Sequence, residues 1–197
     1  MCGIFGYLSS SSLSDATIQL LQKESGKIKH RGPDDNSTFR SSNVLLSFYR
    51  LAINDLSING NQPLYYNNLR ECVLICNGEI YNWKKLSMDY GYDLKSTSDC
   101  EVILHLYKQF GFKKAIEMLD GVFSCILIDG DNIHVARDPI GVRPLFIGKH
   151  NEDIMFSSEM KSIQVLADSV EQFPPGCIWN NNDKEYVKYY VPSLIYN

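Results

Sequence analysis

Short apolar runs separated by polar turns dominate the chain, and only a few segments have apolar residues at helical spacing. Runs of about four to eight apolar or β-branched residues bounded by turn residues are typical of strands. The predicted strands are a first one around Ile4 and Phe5, then Val44–Tyr49, Leu51–Leu56, Cys72–Cys76, Val122–Ile128, Ile133–Arg137, Leu145–Gly148, Ile154–Ser157, Cys177–Trp179 and Glu185–Tyr190. Asp129–Asn132, which joins two of these strands, predicts a hairpin.

Helical spacing is confined to a few segments. Ser14 is the predicted N-cap of a first helix that ends near Gly26. Ser98 and Glu101 have the spacing of a capping box, in which two side chains satisfy free N–H groups at a helix start. Further helices are predicted at Trp83–Tyr90 (stopped by Gly91), from Ser98 to Phe110, at Lys113–Leu119 and, as a short one, at Glu159–Gln164. Helices between runs of hairpin-connected strands predict an α+β domain with helices layered on antiparallel sheets.

The segment His30–Asp35 combines a Gly-Pro pair with several charges. Such a composition predicts an ordered turn or loop rather than a helix or strand. It is explained either as a solvated turn or as a loop that folds over a small polar substrate. Asn59–Pro63 and Pro174–Gly176 are predicted turns of the ordinary kind.

The composition is that of a globular protein, with 44% apolar and 12% aromatic residues. A length of 197 residues suits a single domain over residues 1–197. The net charge is −4 and no basic stripe is present, so we expect neither nucleic acid nor an acidic membrane surface as a partner. No apolar run approaches the ~20 residues of a membrane span, and the first residues lack the layout of a signal peptide. We therefore expect a cytoplasmic location.

The six cysteines are expected to be free thiols, because disulfides are rare in the cytoplasm. Cys72 and Cys76 lie four residues apart in a predicted strand, so they should share a face and pack in the core. The four histidines are scattered and lack metal-ligand spacing. We expect no metal site.

The first residues carry the most distinctive chemistry. Removal of Met1, which the small side chain of Cys2 permits, leaves a thiol and a free α-amine on one residue. An α-amine has an unperturbed pKa of roughly 7.7–8.0, so near neutral pH part of it is unprotonated and accepts the thiol proton. Ile4 and Phe5 predict a buried strand that holds this terminus in place. Taken alone, a Met-Cys start is more simply explained by chance. Other segments of the chain have to decide whether Cys2 is catalytic.

Three further positions allow two interpretations each. Arg50 interrupts an apolar stretch, and its guanidinium needs either an internal salt bridge or the carboxylate of a ligand. Asn77 and Gly78 form a common hairpin pair, but they also offer an amide and a backbone N–H to a developing oxyanion. The helix predicted directly afterwards argues against a hairpin. Asp99 lies in the first turn of a predicted helix, where the helix dipole alone explains it.

Nine segments occur in the order and at the intervals of a known family: Met1–Gly6, His30–Asp35, Arg50–Leu56, Asn61–Leu64, Asn77–Asn82, Ser98–His105, Ala136–Leu145, Ser158–Ser162 and Phe173–Gly176. Together they resemble a class II glutamine amidotransferase domain, most specifically the N-terminal glutaminase domain of asparagine synthetase. The related phosphoribosyl amidotransferases share the Cys start and a stretch like Arg137–Pro139. The stretches beginning at Arg50, Ser158 and Phe173 favour the asparagine synthetase side.

This resemblance implies an N-terminal nucleophile hydrolase fold, a four-layer αββα sandwich of two antiparallel sheets. It implies hydrolysis of L-glutamine to glutamate and ammonia through a thioester on Cys2, with the α-amine of Cys2 as base. Asn77, through its side chain, and Gly78, through its N–H, would form the oxyanion hole.

For the amino-acid head of the substrate, the resemblance implies one cation and two anions. Arg50 would bind the α-carboxylate, and Glu79 and Asp99 would bind the α-ammonium. Backbone groups around Leu51, Ile53 and Asn54 would line the pocket.

The chain departs from this family in two side chains and in length. Asn54 stands where relatives usually carry an apolar residue, so we expect it to contribute mainly its backbone, and Trp83 stands where a histidine is common. No Ser-Gly-Gly-x-Asp-Ser type loop for ATP occurs before Asn197. We expect no ATP-dependent synthetase domain and no cofactor in this chain. ATP and Mg²⁺ would then belong to a separate domain or partner that accepts the ammonia.

Two other kinds of function remain open at this point. One is a catalytically idle module of the same fold that regulates or docks, or a glutaminase feeding a different acceptor. The other is an N-terminal nucleophile amidase that acts on a different amide. The intact set of predicted site residues argues against an idle module, and two acids opposite an arginine favour an α-amino acid substrate.

Overall fold

The computed structural model describes residues 1–66 and 72–190. In chain order the strands of this part are β1 (Gly3–Leu8), β2 (Asp35–Arg40), β3 (Val44–Arg50), β4 (Leu64–Tyr65), β5 (Cys72–Ile80), β6 (Gly121–Asp129), β7 (Asn132–Arg137), β8 (Phe146–His150), β9 (Asp153–Ser157), β10 (Ser169–Gln172), β11 (Cys177–Asn180) and β12 (Tyr186–Lys188). They form two six-stranded sheets, ordered β10-β8-β9-β1-β3-β2 and β12-β11-β7-β6-β5-β4. The paired strands run antiparallel.

The α-helices of the described residues are α1 (Asp15–Ser25), α2 (Trp83–Tyr90), α3 (Val102–Phe110) and α4 (Phe112–Glu117). Helix α1 packs on the outer face of the first sheet, where Ile18 and Leu21 contact Phe5. Helices α2, α3 and α4 cover the outer face of the second sheet. The predicted four-layer αββα sandwich is confirmed.

The two sheets pack against each other through side chains that alternate along each strand, as the period of two residues in a strand requires. In β1, Ile4 and Leu8 face the second sheet, whereas Phe5 and Tyr7 face helix α1. In β5, Val73 belongs to the interface between the sheets, and its neighbours Cys72 and Leu74 face the helices. Inner strands such as β1 and β3 are therefore buried along their whole length.

The beginning of the chain is held on both sides. Gly3 pairs with Tyr49 in β3 on one side. On the other side, Ile4 and the buried Ser158 exchange two hydrogen bonds: the Ile4 N–H donates to Ser158 Oγ at 3.0 Å, and the Ser158 N–H donates to the Ile4 carbonyl at 3.0 Å. These contacts fix the position of Cys2, as predicted from the apolar residues that follow it.

Most of the predicted elements are present. Ser14 caps α1 through a 3.1 Å bond from the Thr17 N–H, and Gly91 ends α2 in the left-handed conformation at φ +66°. The hairpin between β6 and β7 is present, and β5 runs through Asn77 and Gly78 without a hairpin turn. Cys72 and Cys76 are buried against the helices, as predicted.

The strand predicted at Leu51–Leu56 is wrong, because this segment is a loop. The guanidinium of Arg50 explains the loop: it binds the carbonyl oxygens of Asp55 and Ser57, which a strand would need for its own ladder. The chain therefore curls around Arg50 instead of extending.

The capping box at Ser98 and Glu101 is also wrong. A 3₁₀ turn at Asp99–Glu101 precedes α3, and the Ser98 side chain makes no cap hydrogen bond. The Glu101 carboxylate instead accepts the N–H groups of Lys95 and Ser96, each at 2.8 Å, so it is committed to the preceding loop.

Three strands have no counterpart among the predicted elements: β2, β4 and β10. Strands β2 and β10 are the two edges of the first sheet, and their residues are largely polar and exposed. Edge strands are held by backbone pairing to a neighbour, so their side chains need not form an apolar run. This also corrects the prediction for His30–Asp35, because Asp35 begins β2 and a 3₁₀ turn at Gly26–Arg31 precedes it.

Within the described residues, no helix combines the length and the hydropathy that a membrane crossing requires. The end of the predicted domain range, residues 191–197, lies outside the described residues.

Gly6 in β1 lies close against a side chain of the second sheet. A Cβ atom there would lie 2.7 Å from Ile126 Cδ1 and 3.2 Å from Leu46 Cδ2, both in the packed interface. We predict that Gly6→Val lowers the free energy of unfolding by about 1–3 kcal/mol, because an overpacked core forces its neighbours to move.

Urea unfolding followed by circular dichroism measures this change. Gly26→Ala is the matched control, because no atom lies within 4 Å of a Cβ at Gly26 and its φ of −58° suits alanine. Equal stability of the Gly6→Val variant and the wild type would contradict this account of the sheet packing.

Candidate active site

A cavity of about 100 Å³ opens where the ends of β1, β3 and β5 meet. All nine site residues predicted from the sequence contribute to its lining: Cys2, Arg50, Leu51, Ile53, Asn54, Asn77, Gly78, Glu79 and Asp99. They come from four separate segments of the chain, so the fold brings together what the sequence separates. Further lining residues include Asp55, Gln62 and Arg143, which no sequence argument singled out, and Ser98, which the sequence suggested only as a helix cap.

Cys2 lies half-buried at this cavity. The Leu51 N–H donates to Cys2 Sγ at 3.4 Å, and the thiol donates to the Leu51 carbonyl at 3.5 Å. Arg31 Nε donates to the Cys2 carbonyl at 2.9 Å and so holds the backbone of the nucleophile candidate. Burial raises the pKa of the Cys2 thiol, although the Leu51 N–H and nearby positive charges oppose this effect. The thiol is therefore protonated at neutral pH and needs a base to react.

Strand β5 extends beyond its neighbour β4, and this overhang forms one wall of the cavity. Strand β4 pairs only with Leu74 and Val73 of β5. Along a strand, alternate N–H groups point to the same edge, so those of Cys76, Gly78 and Ile80 all face the side that β4 leaves open. Each of them needs a partner from elsewhere.

Side chains fill two of the three places on this open edge. The Gln62 amide acts like a neighbouring strand: its Oε1 accepts the Cys76 N–H at 2.5 Å, and its Nε2 donates to the Cys76 carbonyl at 3.0 Å. Asp99 Oδ2 accepts the Ile80 N–H at 2.6 Å. The Gly78 N–H between them has no partner among the described residues.

A second unpaired donor lies next to the Gly78 N–H. Asn77 is 2% exposed, and its Nδ2 atom is buried without a hydrogen-bond partner in the described part of the chain. A buried donor without a partner is costly, and such groups in native structures call for an explanation. Two adjacent free donors in a cavity that also holds a thiol can stabilise an oxyanion.

Gly78 is required for packing as well. A Cβ at this position would lie 2.6 Å from Phe123 Cβ and 2.7 Å from the Val122 carbonyl in the paired strand β6. Any larger residue would push β5 away from β6 and displace the free N–H.

Arg50 is 8% exposed and makes no ion pair with a described residue. Its guanidinium instead binds neutral acceptors, namely the Ser57 carbonyl at 3.0 Å, the Asp55 carbonyl and the Asn61 side chain. The internal salt bridge considered from the sequence is therefore absent in this part of the chain. A buried cation held only by dipoles favours an anion as the ligand of this cavity.

Acidic residues line the same cavity. Asp99 is 5% exposed, and Asn54 Nδ2 donates to its Oδ1 at 3.0 Å. The Asn54 side chain thus holds the Asp99 carboxylate, and the expected backbone contribution of Asn54 to the pocket stays a prediction. Glu79 is more exposed, and its Oε1 lies 3.3 Å from Arg143 Nη2. Asp55, the third acidic lining residue, is occupied by Ser57 and Thr97. A cation without a carboxylate partner among the described residues and the carboxylates of Glu79 and Asp99 in one cavity match the charges of an α-amino acid.

The segment His30–Asp35 supports the cavity without lining it. Arg31 holds the Cys2 carbonyl, and Asp34 Oδ2 accepts the Ala52 N–H at 2.8 Å. The interpretation of this segment as a loop over the substrate is therefore replaced by a role in fixing Cys2 and the loop after Arg50.

Gln62, Asp55 and Arg143 are the site residues that sequence reasoning missed. Gln62 and Arg143 lie in segments that carried the family resemblance, but nothing in the sequence indicates that their side chains reach the cavity. Asp55 follows Asn54 directly, and its carboxylate holds the loop after Arg50 by accepting the N–H groups of Ser57 and Thr97. Within residues 1–66 and 72–190 no cluster of three or more acidic, histidine or cysteine side chains could hold a metal ion.

A family model described as a glutamine amidotransferase domain matches residues 1–176. The chain belongs to this glutamine amidotransferase family. The resemblance noted in the sequence is thereby confirmed.

Curated relatives match almost the whole chain. A probable glutamine-hydrolysing asparagine synthetase from Dictyostelium discoideum is 42% identical over 202 residues, which cover 99% of this chain and 36% of the relative. A glutamine-hydrolysing asparagine synthetase from Sandersonia aurantiaca is 39% identical over 196 residues, covering 98% of this chain and 37% of the relative. The amidotransferase domain described here thus spans less than two fifths of the length of these relatives.

Solved structures share the fold at low sequence identity. The allosteric regulatory enzyme of purine biosynthesis has a TM-score of 0.81 at 19% identity and covers 97% of this chain and 50% of its own. The glutamine phosphoribosylpyrophosphate amidotransferase from B. subtilis has a TM-score of 0.80 at 21% identity, with the same two shares. The expected N-terminal nucleophile hydrolase fold is confirmed by these neighbours.

The loop after Arg50 is fixed by the Asp55 carboxylate. Its Oδ1 accepts the Ser57 hydroxyl at 2.6 Å and the Ser57 N–H at 2.8 Å, and its Oδ2 accepts the Thr97 N–H at 2.9 Å. These bonds, that of the Ser57 hydroxyl above all, lower the pKa of Asp55 from 3.8 to about 2.

A lowered pKa in the folded state stabilises the fold above the unfolded pKa and loses this effect as the pH falls through the folded value. We predict that Asp55→Asn lowers the free energy of unfolding by about 1–3 kcal/mol at pH 7, because an amide cannot accept hydrogen bonds at both ends. The difference between variant and wild type should shrink between about pH 4 and pH 2.

Urea unfolding across this pH range measures the difference. A stability difference that stays constant from pH 7 to pH 2 would contradict the assignment to the Asp55 carboxylate.

Proposed function

We propose that this domain hydrolyses L-glutamine to glutamate and ammonia through a thioester on Cys2. The observation that supports it best is the pair of unpartnered donors, Asn77 Nδ2 and the Gly78 N–H, in the cavity that holds the Cys2 thiol. A site without an oxyanion to stabilise would leave both donors uncompensated at a cost in stability.

The first step needs a free N-terminus. Met1 is about half exposed at the edge of the cavity, so an aminopeptidase can reach it. Its removal leaves an α-amine on Cys2, and this amine takes the thiol proton while the sulfur attacks the side-chain carbonyl carbon of glutamine. The oxygen of the tetrahedral intermediate then receives hydrogen bonds from Asn77 Nδ2 and the Gly78 N–H.

The intermediate collapses when the C–N bond breaks. The leaving nitrogen takes the proton held by the α-amine and departs as ammonia, and a glutamyl thioester remains on Cys2. Water then attacks the same carbonyl carbon, with the α-amine again accepting a proton. The C–S bond breaks, the sulfur regains its proton, and glutamate is released.

Recognition of the substrate head follows from the charges of the cavity. The Arg50 guanidinium, which has only neutral partners, binds the α-carboxylate, and Glu79 and Asp99 bind the α-ammonium. Leu51, Ile53 and Asn54 form the loop beside the bound molecule, and Asn54 also fixes the Asp99 carboxylate.

The ammonia passes, in this proposal, to a domain or partner of the asparagine synthetase type. Support comes from the curated relatives, which are named as glutamine-hydrolysing asparagine synthetases and of which this chain spans little more than a third. ATP and Mg²⁺ would bind to that synthetase part, so this domain itself needs no cofactor. Its six free thiols support a reducing compartment such as the cytoplasm.

Glutamate release from L-glutamine by the purified protein tests this function. We predict that activity is present in protein whose intact mass lacks Met1 and that it is lost in Cys2→Ala. Cys125→Ala is the matched control, because Cys125 is a fully buried thiol outside the cavity lining. Equal activity of Cys2→Ala and the wild type, or full activity in protein that retains Met1, would overturn the mechanism.

A second prediction concerns the oxyanion donors. Asn77→Ala should lower kcat by about 10²–10³, because one donor to the developing oxyanion is lost. Steady-state kinetics of the folded variant measures the effect. Asn132→Ala on the exposed hairpin serves as control and should keep wild-type kinetics. An unchanged kcat in folded Asn77→Ala would remove Asn77 from the site.

A further inference from the structure

The proposed roles leave one charged residue of the cavity unexplained, Arg143. Its backbone is fixed by the fully buried Asp138. The Asp138 carboxylate accepts the N–H groups of Val142 and Arg143, each at 2.9 Å, and that of Ile140 at 3.2 Å. A carboxylate that accepts several backbone N–H groups holds a loop in one conformation. The backbone position from which the Arg143 side chain extends is therefore fixed.

The same loop is clamped from its other side by Arg137, which is 2% exposed. Arg137 donates to the carbonyl oxygens of Gly141 and Arg143 at 2.8 Å and to that of Phe173 at 2.6 Å. Gly141 has a φ of +72°, and a Cβ there would lie 3.0 Å from Arg137 Cζ, so only glycine suits this turn. The buried groups of this loop thus serve to present Arg143 to the cavity.

The side chain of Arg143 is 12% exposed, and its one ion pair with a residue of the described ranges joins Nη2 to Glu79 Oε1 at 3.3 Å. Its Nε atom is buried and has no partner in the described part of the chain. Glu79 is 39% exposed, and its second oxygen, Oε2, likewise has no protein partner within the described residues. A carboxylate this exposed is free to rotate into water unless something holds it.

We propose that Arg143 is a positioning residue for the α-ammonium group of the substrate: it binds Glu79 Oε1 and thereby keeps Oε2 available to that ammonium. The inference rests on the proposed function. It separates the roles of the two guanidinium groups, because Arg50 has no carboxylate partner and binds the substrate carboxylate, whereas Arg143 acts on the opposite charge of the same molecule through Glu79. The Arg143 charge also opposes the rise in the pKa of the Cys2 thiol that burial causes.

A plain structural ion pair would have the same distance but a different effect on catalysis. The test therefore compares two substrates, L-glutamine and glutaramate, which is glutamine without its α-amino group. Arg143→Met keeps the length and apolar stem of the side chain and removes the charge. It should raise KM for L-glutamine about tenfold while kcat stays within about twofold, and it should leave KM for glutaramate unchanged.

Two further variants complete the set. Arg143→Lys, which retains a cation, should restore most of the affinity for L-glutamine. Lys184→Met is the matched control, because Lys184 and Glu152 form an ion pair of similar length, 3.2 Å, on the surface. It should change neither KM. In a Glu79→Gln background, Arg143→Met should add no further rise in KM for L-glutamine, because both substitutions then act on the same contact.

Each contrary outcome has a defined meaning. An equal rise in KM for both substrates, or no rise for either, overturns the role of Arg143 while wild-type glutamate release still supports the proposed function. A wild type that releases no glutamate overturns the proposed function. In that case, calorimetric titration of the wild type and of Arg143→Met with L-glutamate and with glutarate, which lacks the α-amino group, decides about Arg143. The inference is supported if Arg143→Met binds L-glutamate more weakly than the wild type does and binds glutarate equally well. Any other pattern overturns it.

Discussion

The site depends on one backbone constraint, the overhang of strand β5 beyond strand β4. Strand β4 covers only Val73 and Leu74, so the N–H groups of the next alternate residues on that edge have no strand partner. Pairing with β6 nevertheless continues to Ile80, so β5 stays a strand beyond the end of β4. Gln62 and Asp99 satisfy two of the exposed groups, and the Gly78 N–H between them is left for a ligand. The Asn77 amide adds a second donor without a partner among the described residues next to this N–H, and both belong to the residues that line the cavity.

A second feature is the separation of charge within the cavity. Arg50 is surrounded by neutral oxygen atoms, and this costs less than an unsolvated charge while leaving its electrostatic attraction for an anion intact. The acids have partners that do not neutralise them fully: Asp99 has an amide and an N–H, and Glu79 shares one oxygen with Arg143. If Arg50 were paired with an internal carboxylate, its charge would be neutralised and the cavity would attract an anion less strongly. The cavity thus holds charges of both signs, as the proposed zwitterionic substrate requires.

Apolar runs and turn residues allowed prediction of helices layered on antiparallel sheets, and the order of the motifs pointed to the four-layer sandwich and to nine residues that the structure places in the lining of one cavity. The sequence did not indicate the edge strands β2 and β10, whose polar residues are held only by pairing with a neighbour. The loop after Arg50 was misread as a strand because its apolar residues are β-prone, whereas a buried guanidinium takes the carbonyl oxygens that the strand would use. Gln62 and Arg143 were missed because their side chains contact groups far away in the sequence, at Cys76 and Glu79 respectively.

The central claim is that the thiol of residue 2, at a free N-terminus, becomes acylated by the side chain of glutamine. Acid quenching of the protein during turnover, followed by mass spectrometry of the intact chain and of its N-terminal peptide, tests this most directly. The account predicts a fraction of chains that carry one glutamyl group on a peptide beginning with Cys2, and no such adduct in Cys2→Ala. A glutamyl adduct on any other residue, or adduct formation on chains that still begin with Met1, would contradict it.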